Sequence, residues 1–183
     1  MTRSEGLAEQ LDWHWREHLR PRLDGLTDEE YFWEPVRGCW SIRPRGTSTA
    51  PMSGGSGEWT LDFASPDPVP APVTTIAWRL AHIIVGCLGY RVRWYFGGPE
   101  VDFHTFAYAG TADEALKQLD DTYQKWNAGV RGLSDTDLAK PPVGPVEGAD
   151  LFPMEGLVLH INKELIHHGA EISLLRDLYR WRD

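Results

Sequence analysis

Positive charge is scarce in this chain. Its 18 lysines and arginines stand against 27 aspartates and glutamates, for a formal net charge of −9. A general nucleic-acid binder needs a basic face to displace counterions from phosphates, so no nucleic-acid partner is expected. Cysteine is nearly missing too: Cys39 and Cys87 are the only two, with no CxxC pair. A disulfide framework is not indicated, and the pair fits a reducing compartment. Long apolar runs are absent. The longest, around Ile76 to Val85, is broken by Arg79 and His82 and is too short and polar to span a bilayer. Residues Met1 to Gly6 hold no apolar h-region of a secretory signal. These absences together predict a cytoplasmic protein with no membrane partner. No Gly-rich phosphate loop and no GxSxG elbow is found, so the chemistries built on them have no support.

What is present suits one globular domain over residues 1–183, with 42% hydrophobic and 25% charged residues. Four long helical segments are predicted. In the first, from about Ser4 to Leu23, Leu7, Leu11, Trp15, Leu19 and Leu23 recur at spacing four, and Pro21 kinks or ends it. A short helix is capped at Thr27-Asp28-Glu29-Glu30. The second long segment spans about Val73 to Phe96 and stops at Gly97-Gly98-Pro99. The third, about Thr111 to Leu133, opens on a capping box and presents Ala115, Leu116, Leu119, Tyr123, Trp126 and Val130 as its apolar face. The fourth runs from about Pro153 to Tyr179, after a Pro/Gly-rich loop at 141–148. Little strand signal accompanies these helices, so an all-α bundle is expected. Residues 44–72, punctuated by proline and glycine, form a long loop inserted between the first and second long helices. Within it, Glu58 to Phe63 reads as a short extended piece. Trp59 and Phe63 favour a loop that is ordered and packs on the body.

The fourth segment carries the densest chemistry: His160, Glu164, His167 and His168 within nine residues. At roughly 100° per residue, Glu164 and His168 fall inside the apolar arc of Leu157, Ile161, Ile172 and Leu175. His160 lies at its edge and His167 further round. A polar pair in an apolar arc needs a partner, and two donors four apart can grip one ion. His160 and His168 stand about 12 Å apart along the axis, so a third donor must come from elsewhere. The second helix offers His82, which shares a strip with Thr75, Arg79, Gly86, Gly89 and Arg93. Gly86 and Gly89 leave room beside the imidazole, as a pocket would need; the same strip also suits a solvent face. Arg79 and Arg93 either meet an anionic substrate there or stand solvated. His14 and His18 form a second HxxxH pair, at the margin of the first helix's apolar arc, fit for capping or for a pocket mouth. Trp40 and Trp59 are candidate pocket walls. Glu164 and His167 make one Glu-x-x-His motif. Di-iron bundles use two, and a second is lacking. Neither cysteine is placed as a nucleophile beside the histidine motif, so any reacting thiol is expected from a cosubstrate.

Several short motifs, in order, resemble the DinB-like superfamily. They are Leu26-Thr27-Asp28-Glu29-Glu30, Gly38-Cys39-Trp40-Ser41-Ile42, Thr75-Ile76-Ala77-Trp78-Arg79-Leu80-Ala81-His82-Ile83 and His167-His168-Gly169-Ala170-Glu171-Ile172. The likeness covers nearly the whole chain. It implies a four-helix bundle with a metal near one end, often as a homodimer. The family's first ligand matches His82, and its other two come from the last helix, matching Glu164 and His168. Many members carry histidine at both of those last positions. The mycothiol-dependent maleylpyruvate isomerase branch is similar to this chain in its His-Glu-His set, and bacillithiol transferases are related. Such a set leaves a coordination position open, as at catalytic zinc, and also serves iron(II). Zinc is the expected ion, with Ni2+, Fe2+ or Mn2+ as alternatives. The implied protein is a thiol transferase, isomerase or hydrolase that activates a low-molecular-weight thiol or water. The alternative is a non-catalytic bundle that binds a metal or small molecule.

Overall fold

A computed structural model describes residues 1–144 and 152–182. Four long helical segments are present, close to the expected bounds. The first comprises α1 (Arg3–His14), a π-helical stretch (Trp15–Leu19) and α2 (Arg20–Arg22). It starts on a capping box in which Thr2 and Glu5 satisfy each other's backbone N–H, and Pro21 falls in its last turn. After α3 (Asp28–Tyr31), the second long segment comprises α4 (Ile76–Ala81), a π-helical stretch (His82–Gly89) and α5 (Tyr90–Phe96). Thr75 caps its start, and Gly97 ends it with φ of 66°, a left-handed conformation that glycine adopts without strain. Then follow α6 (Ala112–Arg131), the short α7 (Asp135–Ala139) and α8 (Met154–Arg180). The Pro/Gly-rich loop expected at 141–148 lies outside the described residues from 145 onward.

One contiguous core joins these helices. The buried side of α6 is the face expected from its periodicity, Ala115 to Val130. Its Tyr123 ring stacks on Trp15 of the first segment with centroids 3.8 Å apart. α8 lies against both the first and second segments. At its far end Arg176 grips the buried Glu30 carboxylate at 2.6 and 3.0 Å, which ties α3 to α8.

The all-α expectation needs correction. The protein is helix-rich, but the inserted loop carries an antiparallel sheet of three strands in the order β1 (Ile42–Pro44), β3 (Trp59–Phe63), β2 (Met52–Gly54). Ile42 pairs with Leu61, and Met52 with Phe63. β3 is the predicted extended piece. Its two partners have only three residues each, too few for an alternating pattern to stand out.

What holds the sheet is a buried charge. Asp62, in the central strand, is 1% exposed. It accepts from the Ser41 backbone N–H at 3.0 Å, Arg43 Nε at 2.8 Å and Ser48 Oγ at 2.6 Å. The unit is then fastened to the second helix. Trp78 Nε1 donates to the Asp62 carbonyl at 2.7 Å, and Trp40 exchanges backbone bonds of 2.9 Å with Val73 and Thr75. Asp62→Ala strands the buried Ser41 N–H and the part-buried Ser48 hydroxyl, and leaves Arg43 only Glu34 as a charge partner among the described residues. It is expected to cost about 3 kcal/mol, read as a lower urea midpoint. A loss under about 1 kcal/mol would show that Asp62 is not the tie.

Candidate metal centre

The second and last long helices bring the candidate residues together. His82 opens the π-helical stretch and Cys87 follows five positions later. In an α-helix, side chains five apart diverge by about 140°. In a π-helix the hydrogen bond runs from i to i+5, so they stand one above the other. Tyr90 N–H, at the end of the stretch, donates to Val85 in this way. Gly86 matters locally, because a Cβ there would lie 3.0 Å from Phe103 and 3.3 Å from His82 Nδ1. The bare backbone seats both rings. The His82 ring is stacked on Trp78, 5.4 Å away and 7° from parallel.

His168 comes from α8 and meets His82 edge-on, with ring centroids 4.7 Å apart at 87°. It is buried, whereas His167 and His160 are exposed, as helical phase predicts. His168 Nδ1 lies 2.7 Å from Glu171 Oε2. That same oxygen lies 3.0 Å from Arg79 Nε on α4. A carboxylate on Nδ1 sets the tautomer with the proton there and leaves the Nε2 lone pair for another partner. His168 Nε2 points at Glu164 Oε2, 3.3 Å away. A lone pair facing a carboxylate oxygen is repulsive unless a proton or a cation sits between them.

A nitrogen from each of His82 and His168 and the Cys87 sulfur lie within 4.8 Å of one another. This is the nitrogen- and sulfur-rich donor chemistry that transition metals take, so the residues fit a divalent ion. Cys87 lies beside the two histidines, where the π-helical turn brings it, but as a buried, protonated thiol it is no free nucleophile. Glu164 lies outside that group of three. It is not enclosed in the core as its phase suggested, but is about a quarter exposed on its side chain, 2.9 Å from Lys163 Nζ and 3.7 Å from His160 Nδ1. His167, His168 and Glu171 form a second, more exposed group, in which Glu171 is already bonded to His168.

The electrostatics make His82 a neutral donor, keep Cys87 a thiol and keep Glu164 a carboxylate. Burial drives the His82 pKa down to about 4, helped by His168 and Arg79. The imidazole is therefore unprotonated at neutral pH. Burial also pushes the Cys87 thiol up to about 12, so without a cation it stays protonated. Burial opposes the Glu164 carboxylate, but Lys163, His160 and His168 outweigh it and hold its pKa below the usual value.

Next to His82 lies an open cavity of about 450 Å³, walled by the loop, the second helix and the segment around Phe103 and His104. Trp40, Phe63, Trp78, Arg79, His82 and Phe103 are among its walls. Trp40 and Arg79 thus stand where a pocket was expected. Other candidates lie elsewhere. Trp59 shares a strand face with Leu61 and Phe63 of the cavity wall but stacks on Phe32, 4.9 Å away, and does not line the cavity. Gly89 lines a separate cavity, and a Cβ there would lie 3.3 Å from Val101; it serves close packing of the following loop. His14 and His18 face a shallow groove beside Gly169 and Ser173 of α8, away from His82. Arg93 pairs with Glu100 at 2.6 Å. Two residues of the centre escaped the sequence reading. Glu171 had a usable signal, being three residues from His168 on one helix face. Cys87 had none, since its direction depends on the π-helical turn.

The His82 shift gives a signed pH dependence for the metal-free protein. The unfolded chain takes up a proton near the ordinary histidine pKa of about 6.5, while the folded chain resists until about 4. The associated stability is present above the unfolded value and is lost as pH falls toward the folded one, by roughly 3 kcal/mol across the window. His82→Gln removes this titration. Urea midpoints from pH 7 to 4 should therefore fall more steeply for the wild type than for the variant. Equal slopes would contradict a buried neutral His82.

No helix of the described residues is long and apolar enough to cross a membrane. Among known proteins, no curated sequence matches the chain, and no solved structure does. A family model described as DinB superfamily matches residues 10–172. That span includes the Trp40 and Thr75 segments, His82 and the Glu164–Glu171 face of α8, and the chain belongs to the DinB superfamily.

Proposed function

We propose that the protein is a divalent-metal-dependent enzyme in which His82, Glu164 and His168 hold the ion beside a substrate cavity. The observation that carries this is the orientation of His168. Its Nδ1 is occupied by Glu171 at 2.7 Å while its Nε2 faces Glu164 at 3.3 Å with His82 alongside. That is the arrangement of a ligand oriented by an outer carboxylate. An ion there would supply Lewis acidity and lower the pKa of a thiol or water at the remaining position. Zinc suits an imidazole-rich set best; Ni2+, Fe2+ and Mn2+ are the other candidates.

The chain's own groups define the rest. Arg79, held by Glu171, presents a guanidinium at the cavity wall, and Trp40, Trp78, Phe63 and Phe103 make the remainder largely apolar. A small molecule with an apolar body and an anionic group suits this lining. The reaction class is thiol transfer, thiol-assisted isomerisation or hydrolysis, with mycothiol- or bacillithiol-like compounds as candidate cosubstrates. Those cosubstrates belong to a reducing cytoplasm, in keeping with two buried free cysteines.

Elemental analysis and assay test this. Gently purified protein is expected to carry about one divalent ion per chain. His82→Ala, Glu164→Ala and His168→Ala are each expected to lower that content, and chelation to abolish thiol-dependent turnover until zinc is restored. Unchanged metal content in all three variants would refute the site. Full metal content with no turnover toward any thiol or hydrolysable substrate would favour a non-catalytic binding protein.

A further inference from the structure

We infer that Cys87 is a metal ligand, making the centre a His82–Cys87–His168 set in which Glu164 is the exchangeable fourth donor. This rests on the metal-binding reading above and extends it to a residue outside the His/Glu/His triad. Two independent observations carry it. First, Cys87 Sγ and one nitrogen each of His82 and His168 lie mutually within 4.8 Å, whereas Glu164 is not part of that group. Second, the Cys87 side chain is buried, at 4% exposure for the residue, at the meeting of the second and last helices. The π-helical stretch His82–Gly89 is what turns it onto the side of His82. π-helical turns interrupt regular hydrogen bonding and often mark functional sites.

Glu164 is placed to come and go. Its Oε2 reaches His168 Nε2 at 3.3 Å, and its Oε1 lies 2.9 Å from Lys163 Nζ and 3.7 Å from His160 Nδ1. The carboxylate therefore has a cationic resting place when it leaves the ion. Cys87, His82 and His168 would hold an ion, and Glu164 would occupy the position that a substrate thiol or water would otherwise take. When Cys87 coordinates, the Sγ–metal bond forms and the thiol proton passes to solvent. A sulfur donor biases the site toward zinc and cobalt and away from manganese and magnesium.

Cobalt spectroscopy tests the assignment. In a Cys39→Ala background Cys87 is the sole thiol, so any thiolate-to-cobalt charge-transfer band in the near ultraviolet belongs to it. The band is expected in Co2+-loaded Cys39→Ala protein and should vanish in the Cys39→Ala, Cys87→Ser double variant. Zinc affinity by competition with a chelator should fall ~10-fold or more on loss of the sulfur. Circular dichroism of the metal-free proteins checks that both are folded. If the double variant does not fold, the presence or absence of the band in Cys39→Ala still decides. Bound cobalt without the band, or a band that survives Cys87→Ser, overturns the Cys87 assignment and leaves the His/Glu/His reading standing. Absence of any bound metal in the wild type overturns both.

Discussion

One carboxylate oxygen, Glu171 Oε2, sits 2.7 Å from His168 Nδ1 and 3.0 Å from Arg79 Nε. Through it the last helix and the start of the second are held in one register, and the His168 ring is oriented. Arg79 Nε is buried and makes no well-aligned hydrogen bond among the described residues, so the contact with Glu171 is chiefly a charge pairing. In a partly buried setting such a pairing is stronger than at the surface, and removal of either partner leaves a poorly solvated charge. The proposed metal set depends on this tie. If His168 were free to rotate, its Nε2 would no longer face Glu164 and its ring would lose its edge-on contact with His82.

The second constraint is the sheet unit of the inserted loop. Asp62 gathers Ser41, Arg43 and Ser48 around a buried carboxylate, and the same strand anchors Trp78 through its backbone carbonyl. Trp78 in turn stacks on His82. A chain of contacts therefore runs from a charge in a loop to the imidazole of the candidate centre. The loop is a wall of the cavity and a positioning element for His82 at once. Long loops in compact domains are commonly functional for this reason.

Much of this was legible in the residues. Helical phase separates the buried His168 from the exposed His167, because a 100° step between neighbours puts only one of them on the apolar arc. Capping residues Thr75 and Thr111 mark helix starts, and Gly97 marks an end. The short strands of residues 42–44 and 52–54 were not legible, since three residues carry no periodicity. Trp59 and Trp40 look alike as aromatic loop residues, yet only Trp40 lines the cavity.

The sequence by itself determined the helices, the family and the inward side of the last helix, because these follow from local periodicity and from motif order. Only the tertiary structure decided which donors meet. His82 and His168 are distant in sequence and come together through helix packing. Cys87 joins them because a π-helical turn changes the angle between residues five apart. Glu164, which phase alone would bury, is part exposed, with one carboxylate oxygen beside Lys163 and His160. Side-chain direction at such a site is set by backbone hydrogen bonding and by charges on neighbouring turns, neither of which a repeating pattern of apolar residues records.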